Sequence, residues 1–262
     1  MLRKQIRVRK EYLHQKEQEN QKKKEQQQNP LAPTPQTNTF DSEYVLPTYQ
    51  DPLILVTTSR DPSERLKRFH KEMTQLFPNS MNLPRGALKV KDLLQYALNK
   101  SFSDIVIIHE QRGEPDGLIL THLPNGPTSF FGLSNVVLRH DAENTKGLFS
   151  QAYPHLVFHN FNENKVGKRI QTILQNLFPV PNNQESKRIV SFIAENDFVS
   201  FRHHNYVKID HKNIDLIEVG PRFEMRPYMI KLGNLMQANA TIEWSLKPHL
   251  NTATKNKQIS ND

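Results

Sequence analysis

Sliding the sequence along itself by 101 positions aligns Leu55-Val56 with Leu156-Val157, Lys67-Arg68 with Lys168-Arg169, and Leu76-Phe77-Pro78 with Leu177-Phe178-Pro179. These seven identities fall within 24 positions, where ordinary composition gives on the order of one or two. The repeated segment reads as a strand followed by a helix. The chain is therefore expected to be an α/β protein made of two related halves.

In the first copy the apolar run Leu53 to Val56 predicts a strand, and Asp61-Pro62-Ser63-Glu64 predicts a helix start with Asp61 as cap and Pro62 at the first position. Leu66, Phe69, Met73, Leu76 and Phe77 then form one helical stripe, which leaves Arg65, Lys67, Arg68 and Lys71 largely on the other faces. A second helix is expected over Val90 to Asn99, with Val90, Leu93, Leu94, Ala97 and Leu98 on one side. The second copy lacks this insertion. Alternating segments predict two hairpins, Asp104–His109 with Gly117–His122 and Arg188–Ile193 with Phe198–Arg202. Further strands are expected at Phe130–Leu138, Ile214–Val219 and Phe223–Ile230.

Composition sets the boundaries of this core. Of the net charge of +8, residues 1–28 carry nine Lys or Arg against four Glu, or +5, so the other 234 residues carry only +3. Any polyanion site in the body must be a local patch. Residues 1–28 read as a basic arm, helical against a partner through Leu2, Ile6, Arg9 and Leu13, or as an import tail around Lys22, Lys23 and Lys24. Prolines 30, 33, 35, 47 and 52 mark residues 29–51 as a linker. The folded domain is expected over 52–246, in halves of about 52–150 and 151–246, with a polar, disordered tail at 247–262. With no cysteine there are no disulfides or thiolate metal sites. Apolar runs of about four residues and no apolar stretch after Met1 to Lys10 predict neither a membrane span nor a secretory signal, hence an intracellular protein.

Enzyme signatures are missing. Val166-Gly167-Lys168 resembles the end of a phosphate loop, but the position needing the first glycine is Asn162, and Arg169 replaces the magnesium-binding hydroxyl. No GxSxG, HExxH or GxGxxG is present. His140-Asp141 and His203-His204 are weak metal candidates, because adjacent strand residues point to opposite faces. No cofactor, metal or catalytic residue is expected.

The polar groups suit RNA better. At Thr57-Thr58-Ser59-Arg60, hydroxyls and an arginine meet helix amides in a form that either holds a phosphate or simply caps the helix. Arg65, Lys67, Arg68, Lys168 and Arg169 place positive charge on the repeated helices. In the strand from Phe201 to Tyr206, Arg202, His204 and Tyr206 share a face able to stack bases, or to pack on a neighbouring protein. Beyond the Gly220-Pro221 break, Arg222, Glu224 and Arg226 align, either as a solvated ladder or with the arginines on phosphate.

The run EVGPRF at 218–223 and the two α/β halves resemble the Brix-domain ribosome assembly factors. MLRKQIRVRKEYL, LVTTSRDPSERLKRF, HEQRGEPDGLILTHLPNGPT, VGKRIQTILQNLFPVP and SFRHHNY are similar to the Imp-four subgroup of that family. The segment between Gln28 and Asp51 is shorter and more proline-rich than the subgroup's. The resemblance implies halves similar to the anticodon-binding domain of class II aminoacyl-tRNA synthetases. It also implies a nucleolar, non-catalytic RNA-binding factor of the small-subunit processome, within the U3 small nucleolar ribonucleoprotein. Such a factor supports early pre-18S ribosomal RNA processing and guide RNA pairing. Its implied partners are U3 small nucleolar RNA, pre-ribosomal RNA, a small S4-like RNA-binding protein and a large acidic scaffold protein. The competing reading, favoured by the modest charge of the body, is a protein-interaction scaffold with incidental RNA contact.

Overall fold

Strand β1 (Ile54–Thr58) lies parallel to β3 (Asp104–Gln111), and β3 turns at Arg112-Gly113 into β4 (Glu114–His122), which pairs with β5 (Thr128–Val137). The second half repeats this: β6 (His155–His159) is parallel to β7 (Arg188–Glu195), and β7 forms a hairpin with β8 (Phe198–Lys208). Next to β8 comes β10 (Arg222–Leu232). The computed structural model describes residues 44, 51–141, 148–161, 164–180, 186–209, 213–237 and 239–246. The arm residues Leu2, Ile6, Arg9 and Leu13, nearly all of the linker, and the tail lie outside the described residues.

Three short strands complete the sheet: β2 (Ser80–Asn82) beside β1, β9 (Ile214–Glu218) beside β8, and β11 (Thr241–Ser245) beside β10. The antiparallel pairing of β5 with β10 joins the halves into one sheet, ordered β2-β1-β3-β4-β5-β10-β8-β7-β6. Reading outward from that seam, each half presents the same strand sequence. Both predicted hairpins are present, and β8 runs further than expected, to Lys208.

Helices α1 (Glu64–Leu76) and α3 (Lys165–Gln175) pack on one face. The five stripe residues of α1 and its exit are all buried. Met73, Leu76 and Phe77 face Leu174, Leu177 and Phe178 across a shared apolar pocket floored by strand residues that include Phe192, Phe201 and Phe223. The repeat-related rings Phe77 and Phe178 touch, with centroids 5.3 Å apart. Each such buried ring contributes about 1.5–3 kcal/mol. Helix α2 (Val90–Asn99) covers the opposite face of the first half only, where Leu93, Leu94 and Ala97 cluster with Leu55, Ile105 and Ile107. Val90 and Leu98, expected on that apolar side, are exposed.

Two local expectations are corrected. The cap of α1 is Ser63, whose Oγ accepts from the Leu66 N–H at 3.1 Å, while Asp61 sits in the preceding turn at φ 49°. The helix caps Ser63 and Asn164 keep the 101-residue offset, but the facing of the strand residues does not. Val56 is opposite Val106, and Leu156 is opposite Val190, which lies two residues from the core residue Phe192. Leu55 packs toward α2, whereas Leu156 shares the face of Phe158 and Phe192, whose rings stack at 5.0 Å. The strand identities therefore fall on opposite faces, although the loops into α1 and α3, 59–63 and 160–164, are equally long.

Arg188 is fully buried at the start of β7. It donates 2.6 Å to the carbonyl of Leu76, the last residue of α1 in the other half, and 3.3 Å to the carbonyl of Ala152. Helix α1 has no basic residue in its own last turn, so this guanidinium supplies the cation at its negative end. Arg188 Nε donates to His203 Nε2 at 2.9 Å. Because arginine only donates, His203 Nε2 accepts, and its Nδ1–H donates to the Gly220 carbonyl at 2.7 Å. Burial, followed by the nearby Arg188 charge, pushes the His203 pKa down to about 3, so the ring is neutral.

Arg188→Ala empties a packed site and strands the Leu76 carbonyl and His203 Nε2. It should lower unfolding free energy by about 3 kcal/mol in a urea titration, against less than about 0.5 kcal/mol for Arg68→Ala on the exposed side of α1. His203 should also give stability a pH dependence. Unfolded, it takes a proton below its ordinary value of 6.5; folded, it resists until about 3. Its contribution is complete above 6.5 and is lost as pH falls, with a slope approaching about 1.4 kcal/mol per unit. His203→Gln, which can still accept from Arg188, should flatten stability between pH 5 and 6.5.

Candidate nucleic-acid interface

The residues expected to touch RNA divide among three places. Thr57 is fully buried in β1, so its hydroxyl is closed to any external ligand. Ser59 is half-buried, its amide donating to the Ile108 carbonyl at 2.8 Å, and Arg60 is exposed. The amides of the α1 N-terminus do not wait for a phosphate. The Glu110 carboxylate, from the end of β3, accepts from the Ser63 N–H at 2.9 Å and from the Ser63 hydroxyl. An internal anion therefore lies beside the position favoured by the helix dipole, which supports the capping reading of this turn over the phosphate one.

The repeated helices lie on the second surface. Arg65 is engaged by Glu114 at 2.7 Å, Asp141 at 3.5 Å and the Val136 carbonyl. Arg169 is largely buried and pairs with Glu243 of β11 at 3.1 Å, so its charge ties α3 to the sheet. Lys67 bridges to Glu64 in its own helix, an exposed pair of little energetic weight. Arg68 and Lys168 are exposed. Gly167 is buried within α3, and the resemblance of that segment to a phosphate loop ends there.

The third place is the sheet face opposite α1 and α3. Along β8 the core takes Val199, Phe201 and His203, and the alternation sends Phe198, Ser200, Arg202, His204 and Tyr206 to the other side. Across the β8·β10 ladder, Glu224 stands beside Ser200 and Phe223 beside Phe201, so Arg222, Glu224 and Arg226 share the outer face. Among the described residues no helix packs here, because α2 covers only the first half. Five expected contacts, Arg202, His204, Tyr206, Arg222 and Arg226, therefore converge on one uncovered surface.

The electrostatics of this face are mixed but positive. Arg222 pairs with Glu218 at 3.3 Å, and Glu224 accepts instead from Asn135 at 2.9 Å, so the expected Arg-Glu-Arg ladder does not form. Arg202 bonds the carbonyl of Phe201, and the Arg226 guanidinium lies 5.4 Å from the centre of the Phe198 ring. Burial lowers the His204 pKa, Glu218 partly opposes that, and Arg202 adds to it. His203 and His204 do point to opposite faces, as expected for adjacent strand residues. Among the described residues no cluster of His, Asp or Glu is arranged to hold a metal, and no helix is long and apolar enough to cross a membrane. Sequence reasoning missed Phe198, although the same alternation that marks Arg202 reaches it four residues earlier.

A model of the Brix domain matches residues 59–229. The U3 small nucleolar ribonucleoprotein protein IMP4 of Homo sapiens is 42% identical over 294 residues, covering 100% of both chains. Its namesake in Schizosaccharomyces pombe is 50% identical over 214 residues, covering 82% of this chain and 73% of the other. Among solved structures, a probable ribosomal biogenesis protein from Aeropyrum pernix K1 superposes with a TM-score of 0.51 at 19% identity. That match covers 67% of this chain and 96% of the archaeal one, and it bears on the fold alone.

Replacing Glu110 with alanine leaves the Ser63 amide without its acceptor. It should cost about 1 kcal/mol of stability by thermal or urea unfolding while leaving RNA affinity no weaker than in the parent protein. Weaker RNA binding by a normally folded Glu110→Ala protein would return the α1 turn to the interface.

Proposed function

The chain belongs to the Brix-domain family, in its IMP4 group, and on that premise we propose that it is a non-catalytic RNA-binding subunit of a U3 small nucleolar ribonucleoprotein. In this reading it works in the small-subunit processome, in the nucleolus, on early pre-18S ribosomal RNA processing. It holds U3 RNA and pre-ribosomal RNA in position for pairing. The functional domain is residues 52–246. Each half acts as a unit of the anticodon-binding type, a reading supported by the repeated strand, helix and hairpin order. The arm at 1–28 reaches a small S4-like protein or a large acidic scaffold through Leu2, Ile6, Arg9 and Leu13.

The observation that carries the proposal is the gathering of Arg202, Arg222 and Arg226 with His204 and Tyr206 on the uncovered face of the second half. Cations supply phosphate attraction, and flat side chains supply surfaces for bases. Arg60, Arg68 and Lys168 extend the positive potential on other surfaces. A scaffold role also has specific support. Val207, Ile209, Ile214 and Leu216, on the ribbon formed by β8 and β9, expose large aliphatic groups, Leu216 at 58%. That ribbon suits a protein partner, and it meets the cationic face at Tyr206, which pairs with Leu216.

Binding of an unstructured RNA should weaken with salt, the logarithm of the association constant falling by about 0.7 per phosphate neutralised for each tenfold rise. Changing Arg202, Arg222 and Arg226 together to glutamine should reduce that slope by roughly 1–2, measured by fluorescence anisotropy. An unchanged slope and affinity would remove this face from the RNA contact.

A further inference from the structure

The uncovered face holds more rings than those already assigned to it, and several sit beside a cation. Arg226 lies over Phe198 at 5.4 Å. Across the seam, Phe130 of β5 is 5.8 Å from Tyr228 of β10, and the Lys231 ammonium is 5.7 Å from the Phe130 ring. At the far end of β8, the Tyr206 ring is 6.4 Å from His155 of β6. Phe130 pairs with Ile119, which packs toward α2, so Phe130 stands on the same side of the sheet as Phe198 and Tyr206. The row thus runs from Phe130 and Tyr228 in the seam, past Phe198 and Arg202, to Tyr206 and His155.

These rings do no core work. The core of the second half is made by Phe192, Phe201 and Phe223 on the opposite face, whereas Tyr228 is 42% exposed and Phe130, Phe198, Tyr206 and His155 are partly exposed. From Phe198 to Tyr206 the strand extends roughly 27 Å, at about 3.4 Å per residue, long enough for several nucleotides.

We propose that this row is a binding path for unpaired RNA bases that crosses the junction between the two halves, with Phe198, Phe130 and Tyr228 as stacking platforms. The proposal rests on the RNA-binding reading above and names the form of RNA that the face takes. A base laid on Phe198 or Phe130 meets a ring and a neighbouring cation together, and the cation is also placed for the adjoining phosphate. Bases in a duplex are stacked on one another and cannot reach the rings, so the face selects single strands. Exposed aliphatic groups suited to a peptide partner gather on the β8–β9 ribbon and meet the row at its Tyr206 end, where Leu216 pairs with Tyr206, while Phe198 and Phe130 each have a cation beside them.

The test compares an unstructured RNA of about a dozen nucleotides, within the usual range of single-strand sites, with a duplex of the same composition. Full-length protein and the variants Phe198→Leu, Tyr228→Leu and the pair are measured by fluorescence anisotropy. Leucine keeps apolar bulk while removing the ring, and thermal unfolding verifies that each variant folds. The pair should bind the single strand at least about tenfold more weakly, with duplex affinity and the salt slope unchanged. If wild type binds the single strand and the pair binds it equally well, the path is wrong while RNA binding stands. If the pair loses both RNAs equally, the face does not select unpaired bases. Ring variants that bind RNA normally but lose a protein partner of the ribonucleoprotein would assign the row to that protein instead. If wild-type protein binds neither RNA, the underlying RNA-binding reading fails.

Discussion

The Arg188 guanidinium reaches out of β7 to the last carbonyl of α1, and through that contact the second half of the sheet is bonded to a helix of the first. Its other donor fixes the neutral tautomer of His203, whose remaining proton is spent on the Gly220 carbonyl. Gly220 holds φ at 74°, a left-handed conformation suited to glycine, two residues before β10 begins at Arg222. Among the described residues this buried cation meets two carbonyls, an imidazole and the Phe149 ring, whose centre is 5.0 Å away, and no carboxylate, an arrangement that is costly unless every donor is met. That requirement ties the α1 terminus, the β8 strand and the entry to β10 into one arrangement. It positions the entry to β10, the strand that pairs with β5 along the seam.

Much of this was legible from the residues. The helix stripe ending in Leu76-Phe77 and its copy in Leu177-Phe178 pointed to the duplication; that the two copies face each other across one pocket is visible only in the structure. Alternation in Phe201 to Tyr206 separated core from outer face correctly. Other features were hidden because they depend on partners far away in sequence. Glu110 fills the α1 N-terminus from 47 positions away, and nothing local distinguishes that from an open anion site. Arg169 reads as a free basic residue beside Lys168 until β11 brings Glu243 to it. The change of face between β1 and β6 was invisible because both residues of each Leu-Val pair are apolar and either could face the core, and only the pairing with β7 decides which one does.

The division of the basic residues between surfaces gives the duplication a functional sense. Both halves direct their helices to one side, where burial and ion pairs consume much of the positive charge. On the other side the halves differ, since the first is covered by α2 and, among the described residues, no helix covers the second. Helix α2 covers one copy, and the bare face of the other, with the seam beside it, carries the arginines and rings on which the proposed RNA contact rests.

Ultraviolet crosslinking of the intact protein to a bound single-stranded RNA, followed by peptide mapping, tests that assignment most directly. The account predicts crosslinks in the peptides spanning residues 198–206 and 222–231, on the uncovered face. Crosslinks confined to residues 1–28, or to α1 and α3, would contradict it.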